Sequence, residues 1–219
     1  MCLYTHYKAV YFGDVNAYSN ESESSYLSFE QGLYMNDDRS LETLRSIQVE
    51  SFDWLRWQPG IKSTLVFIIR DHQILLIHKK TGLGRGKVNG PGGKVESGES
   101  WIDCARREVS EELQIQVGEL NWAGELCFLM SDYPDIQCQV FFAKDYMGEP
   151  TETREARPFW CPVDEIPFER MWTDDRYWLP RALNGERILG RFVFEGETLL
   201  NHSVTLQPEQ FTHAVPIDH

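Results

Sequence analysis

Three glutamates in one short stretch carry the chemistry this sequence offers. They are Glu108, Glu111 and Glu112, in GKVESGESWIDCARREVSEELQI over residues 93–115. The apolar spacing of Ile102, Ala105, Val109 and Leu113 predicts an amphipathic helix from Trp101 to Leu113. On such a helix Glu108, Glu111 and Glu112 stand at i, i+3 and i+4, so their side chains share one face a few ångströms apart. Carboxylates crowded in this way repel one another. A divalent cation turns that repulsion into binding, and hard oxygen ligands suit Mg2+, with Mn2+ as its substitute. Arg107 stands beside the cluster, where a guanidinium orients a carboxylate or meets a phosphate. Before the helix, Gly92, Gly93 and Gly98 allow a tight loop whose backbone approaches a metal or phosphate closely.

Spacing alone leaves a second reading open, since acidic runs on helices are commonly solvated faces paired with Lys or Arg. The glycine-dense loop from Thr81 to Gly93 also fails two other phosphate motifs. Gly86-Lys87 is followed by Val88 instead of Ser or Thr, and Thr81 stands where a P-loop needs its first Gly. No G-x-G-x-x-G occurs among Gly82, Gly84, Gly86, Gly90 and Gly92.

The elements that must hold this helix are legible on either side of it. Ser63 to Ile69 and Gln73 to His78 are short β-branched runs around Arg70-Asp71-His72, the pattern of a hairpin. Further strands are expected at Glu125 to Met130, Ile136 to Ala143, Phe159 to Val163, Arg191 to Glu195 and Ser203 to Leu206. A second helix is expected from Asp174 to Leu183, with Pro180 interrupting it or marking its boundary. Strands and helices mix without strict βαβ alternation, so the fold class is α/β with a mixed sheet flanked by helices. Residues 1–60 differ in texture and read as an N-terminal extension, packed on the core or partly disordered, ahead of a domain over 61–219. Within it, Asn16 to Tyr26 is rich in Ser, Asn and Glu and reads as a loop. Leu41, Leu44, Ile47 and Val49 suggest a helix beginning near Ser40, followed by Trp54, Trp57 and a Pro59-Gly60 break.

The bulk numbers bound the partners. The 219 residues hold 21 basic against 34 acidic side chains, a net charge of -13, which opposes the phosphate backbone of a nucleic-acid polymer. A small nucleotide escapes that argument, because metal ions and a few local cations screen its phosphates. The five cysteines are Cys2, Cys104, Cys127, Cys138 and Cys161, never spaced as C-x-x-C, so free thiols are expected in a reducing compartment. The N-terminus lacks a signal-peptide pattern and no apolar run is long enough to span a bilayer. A cytoplasmic monomer with no membrane partner is the expectation.

The segment resembles the Nudix box, G-x5-E-x7-R-E-U-x-E-E-x-G-U with U a bulky aliphatic residue. Gly93, Glu99, Arg107, Glu108, Val109, Glu111, Glu112 and Ile115 fall in register, while Gln114 replaces the late Gly that ends the helix in the family. The resemblance implies an α/β/α sandwich around a mixed sheet and Mg2+-dependent pyrophosphohydrolysis. The metal would be held by Glu108, Glu111 and Glu112 with the Gly92 carbonyl. Glu111 or Glu112 is then the general base, and Glu155, in TETREARP, matches a further acidic position used for metal or base. KKTGLGRGKVNGPGGKV, VDEIPFERMWTDDRYWLP and GRFVFEG resemble the oxidised purine nucleoside triphosphate hydrolase branch. In that branch the positions matching Asn89, Trp172, Asp174 and Asp175 line the base pocket, as do those matching Thr64, Lys79 and Phe128. Trp172 would stack on a purine while the paired aspartates read its polar edge, one of them kept protonated by its neighbour. Core packing of Trp172 and helix capping by one Asp is the plainer alternative. Leu83 and Val88 stand where the branch carries aromatic residues. The implied reaction yields a nucleoside monophosphate and pyrophosphate from a modified purine triphosphate and so cleans the nucleotide pool. Hydrolysis of ADP-ribose or another nucleoside diphosphate derivative, and a non-catalytic nucleotide sensor, are the competing readings.

Overall fold

Tight turns and apolar alternation build the frame first. The computed structural model describes residues 39–207. Strands β1 (Ile61–Arg70) and β2 (Gln73–Lys79) form the expected hairpin. Asp71 and His72 both take positive φ, 52° and 62°, which is the left-handed two-residue turn that matches strand twist. Short β3 (Val88–Asn89) and β4 (Gln116–Val117) follow, with β5 (Asn121–Met130), β6 (Ile136–Ala143), β7 (Tyr146–Met147) and β8 (Ala156–Pro162) after them. β9 (Ile188–Glu195) and β10 (Thr198–Leu206) complete the set. The main sheet has eight strands in the order β10-β9-β5-β6-β1-β2-β3, with β8 added along β2. β1 runs parallel to β6, and β5 parallel to β9; their other pairings are antiparallel, so the sheet is mixed.

Three helices cover it. α1 is Leu41–Ser46, α2 is Trp101–Leu113 and α3 is Asp175–Leu183. On one face α2 buries Trp101, Ala105, Val109 and Leu113 against Val66, Ile68, Leu75 and Ile77. On the other, Trp178, Leu179 and Ala182 of α3 pack on Phe67, Leu126, Val140 and Phe192. The result is an α/β/α sandwich. Pro180 sits inside α3, not at its end. The amide it lacks would have bonded the Arg176 carbonyl in the previous turn, and Arg176 lies on the exposed side of the helix, where a lost backbone bond costs least.

Residues 39–60 lie on the α2 face, behind β5 and β9. Leu44 and Val49 bury themselves against Leu129 and Val193, each contributing about 1.5–3 kcal/mol of apolar transfer. Ser40 caps α1 by accepting from the Thr43 N–H, and Asn201 donates to the Ile47 carbonyl at 3.0 Å. Buried Asp135 is the anchor. It accepts from both Arg39 Nη atoms (3.2 and 2.8 Å), Trp57 Nε1 (2.9 Å) and the Met130 N–H (3.0 Å). The loop expected at Asn16 to Tyr26 lies outside the described residues. Cys104, Cys127, Cys138 and Cys161 are free and buried. Among the described residues no helix is long and apolar enough to cross a membrane.

Candidate active site

The acidic site grows out of how α2 begins and ends. Ser100 caps it, accepting from the Asp103 N–H at 3.2 Å and donating to the Asp103 carboxylate at 2.6 Å. The buried stripe of Trp101, Ala105 and Val109 runs on into Glu108 and Glu112, so two of the three acids face the sheet. Gln114 closes the helix at φ 58° and ψ 32°, the left-handed conformation that Gly adopts without strain. The departure from the family pattern therefore keeps the turn and adds strain to it.

Glu112 is 1% exposed, with both oxygens engaged. Oε1 accepts from Lys79 Nζ at 3.0 Å and Oε2 from the Gly92 N–H at 2.9 Å. Burial raises its pKa, while Lys79 and the Gly92 amide oppose that rise and Glu155 adds to it. Glu108 is also pushed up, first by burial and further by Glu112 and Glu111, against the pull of Arg107. Glu111 is largely exposed and accepts from Arg107 Nη1 at 3.1 Å. Arg107 ties the group together. Its Nε and Nη2 donate to Glu99 at 2.8 and 3.0 Å, Nη1 to Glu108 at 2.9 Å, and Nη2 to the Lys94 carbonyl at 2.9 Å. Thr153 fastens the Glu155 loop to the same helix by donating to the Glu112 carbonyl at 3.0 Å.

The glycine loop fits over this helix only because it lacks side chains. A Cβ at Gly93 would stand 2.5 Å from Glu108 Oε2, and one at Gly92 would collide with the Thr64 backbone. Among the described residues no three acidic, His or Cys groups converge as a ready-made metal ligand set. Arg107 and Lys79 hold the carboxylate oxygens instead. The donor chemistry nonetheless fits a hard divalent cation. Glu112 is buried and Glu108 nearly so, the Glu112 charge raises the cost of ionising Glu108, Glu111 is open to solvent, and the loop leaves the Glu108 carboxylate uncovered by any side chain at Gly93.

A second group lies across the sheet. Phe128 stacks on Phe192 at 5.2 Å, and Trp172 meets Phe194 edge-on at 5.7 Å. Asp174 and Asp175 are each 3% exposed at the start of α3. Asp174 Oδ2 accepts from Trp178 Nε1 at 3.1 Å, and Asp175 Oδ2 from the Trp172 N–H at 3.1 Å. The Asp174 side chain makes no capping bond, so the plain N-cap alternative does not describe it. Burial raises Asp174 to about 7, and Asp175 rises well above the usual range through burial and the Asp174 charge.

The structure thus brings Phe128, Trp172, Asp174 and Asp175 together on one side. Two residues expected with them stand elsewhere. Thr64 is buried against α2, its hydroxyl 3.4 Å from Cys104 Sγ, and Lys79 is the partner of Glu112. Strand alternation explains both, because Thr64 shares a face with Val66 and Lys79 with Ile77. Asn89 pairs across the ladder with Ile77 and turns its amide oxygen onto the Gly90 N–H at 2.9 Å. Sequence reasoning named Glu99 only as part of a motif and missed Lys87 and Phe194. The match to GRFVFEG held the signal for Phe194.

Comparison with known proteins identifies the family. The family model described as the NUDIX domain matches residues 61–182, and the chain belongs to the Nudix family of hydrolases. It is 41% identical over 138 residues to the oxidized purine nucleoside triphosphate hydrolase of Danio rerio, covering 63% of this chain and 88% of that protein. The Mus musculus protein of the same name is 39% identical over 143 residues, covering 64% and 92%. The crystal structure of the Mutator MutT protein from Bacillus halodurans superposes with a TM-score of 0.61 at 25% identity, covering 68% of this chain and 99% of that one.

Proposed function

We propose that this protein hydrolyses purine nucleoside triphosphates, oxidised or otherwise modified, to the monophosphate and pyrophosphate, and so cleans the nucleotide pool. The observation that carries the reading is the pairing of two groups in one sandwich. An acidic helix under a glycine loop suits a polyphosphate, and an indole beside two buried acids suits a purine. The names of relatives at 39–41% identity point the same way.

Glu108, Glu111 and Glu112, with the Gly92 carbonyl, are the residues that would hold Mg2+, and Glu155 stands near enough to influence Glu112. When bound, the cation supplies positive charge to the phosphates and a Lewis-acid centre. Arg107 positions Glu99, Glu108 and Glu111 so that none drifts when substrate arrives. Glu112 is already committed to Lys79 and the Gly92 amide. Glu111, exposed and with a single partner, is therefore the base that accepts the proton of the attacking water. That water adds to the α- or β-phosphorus of the triphosphate, the bridging P–O bond between these two phosphorus atoms breaks, and the nucleoside monophosphate and pyrophosphate separate. Trp172 supplies a stacking surface for the base. Asp174 and Asp175, held up by burial, offer both a proton donor and an acceptor to its edge. Glu111→Gln should lower turnover by about 10^3, within the range of general acid–base catalysis, and Glu112→Gln should lower it by removing a carboxylate that would hold the cation, each while melting as the parent does. A folded and active pair of variants sinks the assignment.

A further inference from the structure

What sets an oxidised purine apart from its parent is a new lactam, a ring C=O next to a ring N–H. Reading it takes a hydrogen-bond donor beside an acceptor. The Asp174–Asp175 pair supplies an acceptor together with the proton it retains, and a cationic donor stands next to it in Lys87.

Lys87 closes the glycine loop, where its carbonyl accepts from the Lys79 N–H at 3.0 Å and its own N–H donates to the Gly84 carbonyl at 2.9 Å. Its base is thus tied to the end of β2. Its ammonium lies 4.9 Å from the centre of the Trp172 ring, over one face of the indole. It is held there by Glu197, in the turn between β9 and β10, at 2.9 Å. Lys87 is only 20% exposed, whereas Glu197 is 71% exposed, so the pair is open to water on the Glu197 side. Space is reserved for the arrangement, since a Cβ at Gly84 would press to 2.9 Å from Trp172 Nε1. The charge of Lys87 also reaches Asp175, opposing the rise that burial imposes on that acid. Ammonium, indole and carboxyl are therefore neighbours, with Lys87 tied to the glycine loop through its backbone and to the β9–β10 turn through Glu197.

We propose that Lys87 is a specificity-determining residue: released from Glu197 when a base stacks on Trp172, its ammonium donates to the lactam carbonyl of an oxidised purine while the Asp174–Asp175 pair takes the adjacent N–H. This rests on the purine triphosphate reading above. It makes Lys87 the part of the pocket that distinguishes an oxidised ring from the parent ring, with Trp172 serving both.

The test compares dATP with 2-oxo-dATP and 8-oxo-dATP, which differ from it by the lactam alone. kcat/KM is measured for the parent protein and for Lys87→Met, Lys87→Arg and Trp172→Ala. The ratio of oxidised to parent substrate should fall about tenfold in Lys87→Met, the cost of losing a hydrogen bond to a charged group, and Lys87→Arg should keep most of it. Trp172→Ala should weaken all three substrates together, through KM. An unchanged ratio in Lys87→Met overturns the proposal, and so does an equal fall for all three substrates, which would mean a general charge effect on the phosphates. If the parent protein shows no preference for an oxidised base, or Trp172→Ala leaves every KM intact, the purine reading itself fails, and Lys87 fails with it.

Discussion

Adding one methyl group at Gly93 tests whether the glycine loop exists to clear the Glu108 carboxylate. The Cβ of Gly93→Ala would lie 2.5 Å from Glu108 Oε2 and closer still to the other carboxyl atoms, about 0.9 Å short of the 3.4 Å at which ordinary contact begins. What it meets is the free end of a side chain, not backbone. The fold can therefore answer by turning Glu108 aside, and the melting temperature should move little. The carboxylate cannot turn aside and keep the Arg107 Nη1 bond of 2.9 Å, so it leaves the place where it would meet a cation. A displacement near 1 Å in a reacting group costs about a hundredfold in rate. Gly93→Ala should thus lose about 10^2 in kcat/KM and need more Mg2+ to reach half its maximal rate, with its thermal melt nearly unchanged. A coupled assay of pyrophosphate release across a Mg2+ series, run beside a melt, reads all three. Activity within about threefold of the parent at every Mg2+ concentration would refute the account of the loop. Unfolding of the variant would refute the claim that only a side-chain end stands in the way.

Two further outcomes follow from local strain and burial. Gln114→Gly should raise stability by about 1 kcal/mol, because the residue sits at φ 58° where Gly carries no Cβ penalty; a chemical denaturation midpoint that falls instead would contradict it. Asp174 is held at about 7 against 3.8 when unfolded, so below pH 4 both states carry the proton and the group contributes nothing. Between about pH 4 and 7 only the folded state keeps it, and stability drops as pH rises through that window. Asp174→Asn lacks this loss and can still accept from Trp178. Its melting temperature should match the parent near pH 4 and exceed it increasingly toward pH 7, and a difference independent of pH would refute the buried, protonated acid.

Much of the frame was legible because its signals are local. The spacing of Ile102, Ala105, Val109 and Leu113 gave α2 its bounds of Trp101 and Leu113. The hairpin was readable from two β-branched runs and a short polar turn. The strand at β5 was expected only from Glu125, because Trp122 and Gly124 flank a β-bulge that breaks the alternation. Pro180 was read as a break, yet packing of Trp178, Leu179 and Ala182 outweighs one missing hydrogen bond. The two-residue strands β3, β4 and β7 carry too few residues to show a period. Long-range choices were invisible. Nothing near Arg39 in the chain announces Asp135, 96 residues away. In the site, the types of residue were readable and their grouping was not. Thr64 and Lys79 were expected with the base pocket, but strand alternation turns both toward α2, and that depends on a register only the folded sheet defines. Lys87 gave no sign of its place over Trp172, since the two are joined by a contact between a loop and the approach to α3.

The central claim is that this acidic helix and this aromatic pocket act together on one substrate class, and a panel assay with the purified protein tests it most directly. Release of pyrophosphate and monophosphate would be measured with Mg2+ for 8-oxo-dGTP, 2-hydroxy-dATP, O6-methyl-dGTP, dGTP and ADP-ribose. The account predicts that a modified purine triphosphate is cleaved most efficiently, that pyrophosphate is the product, and that EDTA abolishes the reaction. Cleavage of ADP-ribose alone, or no turnover of any of the five with Mg2+ or Mn2+, would contradict it.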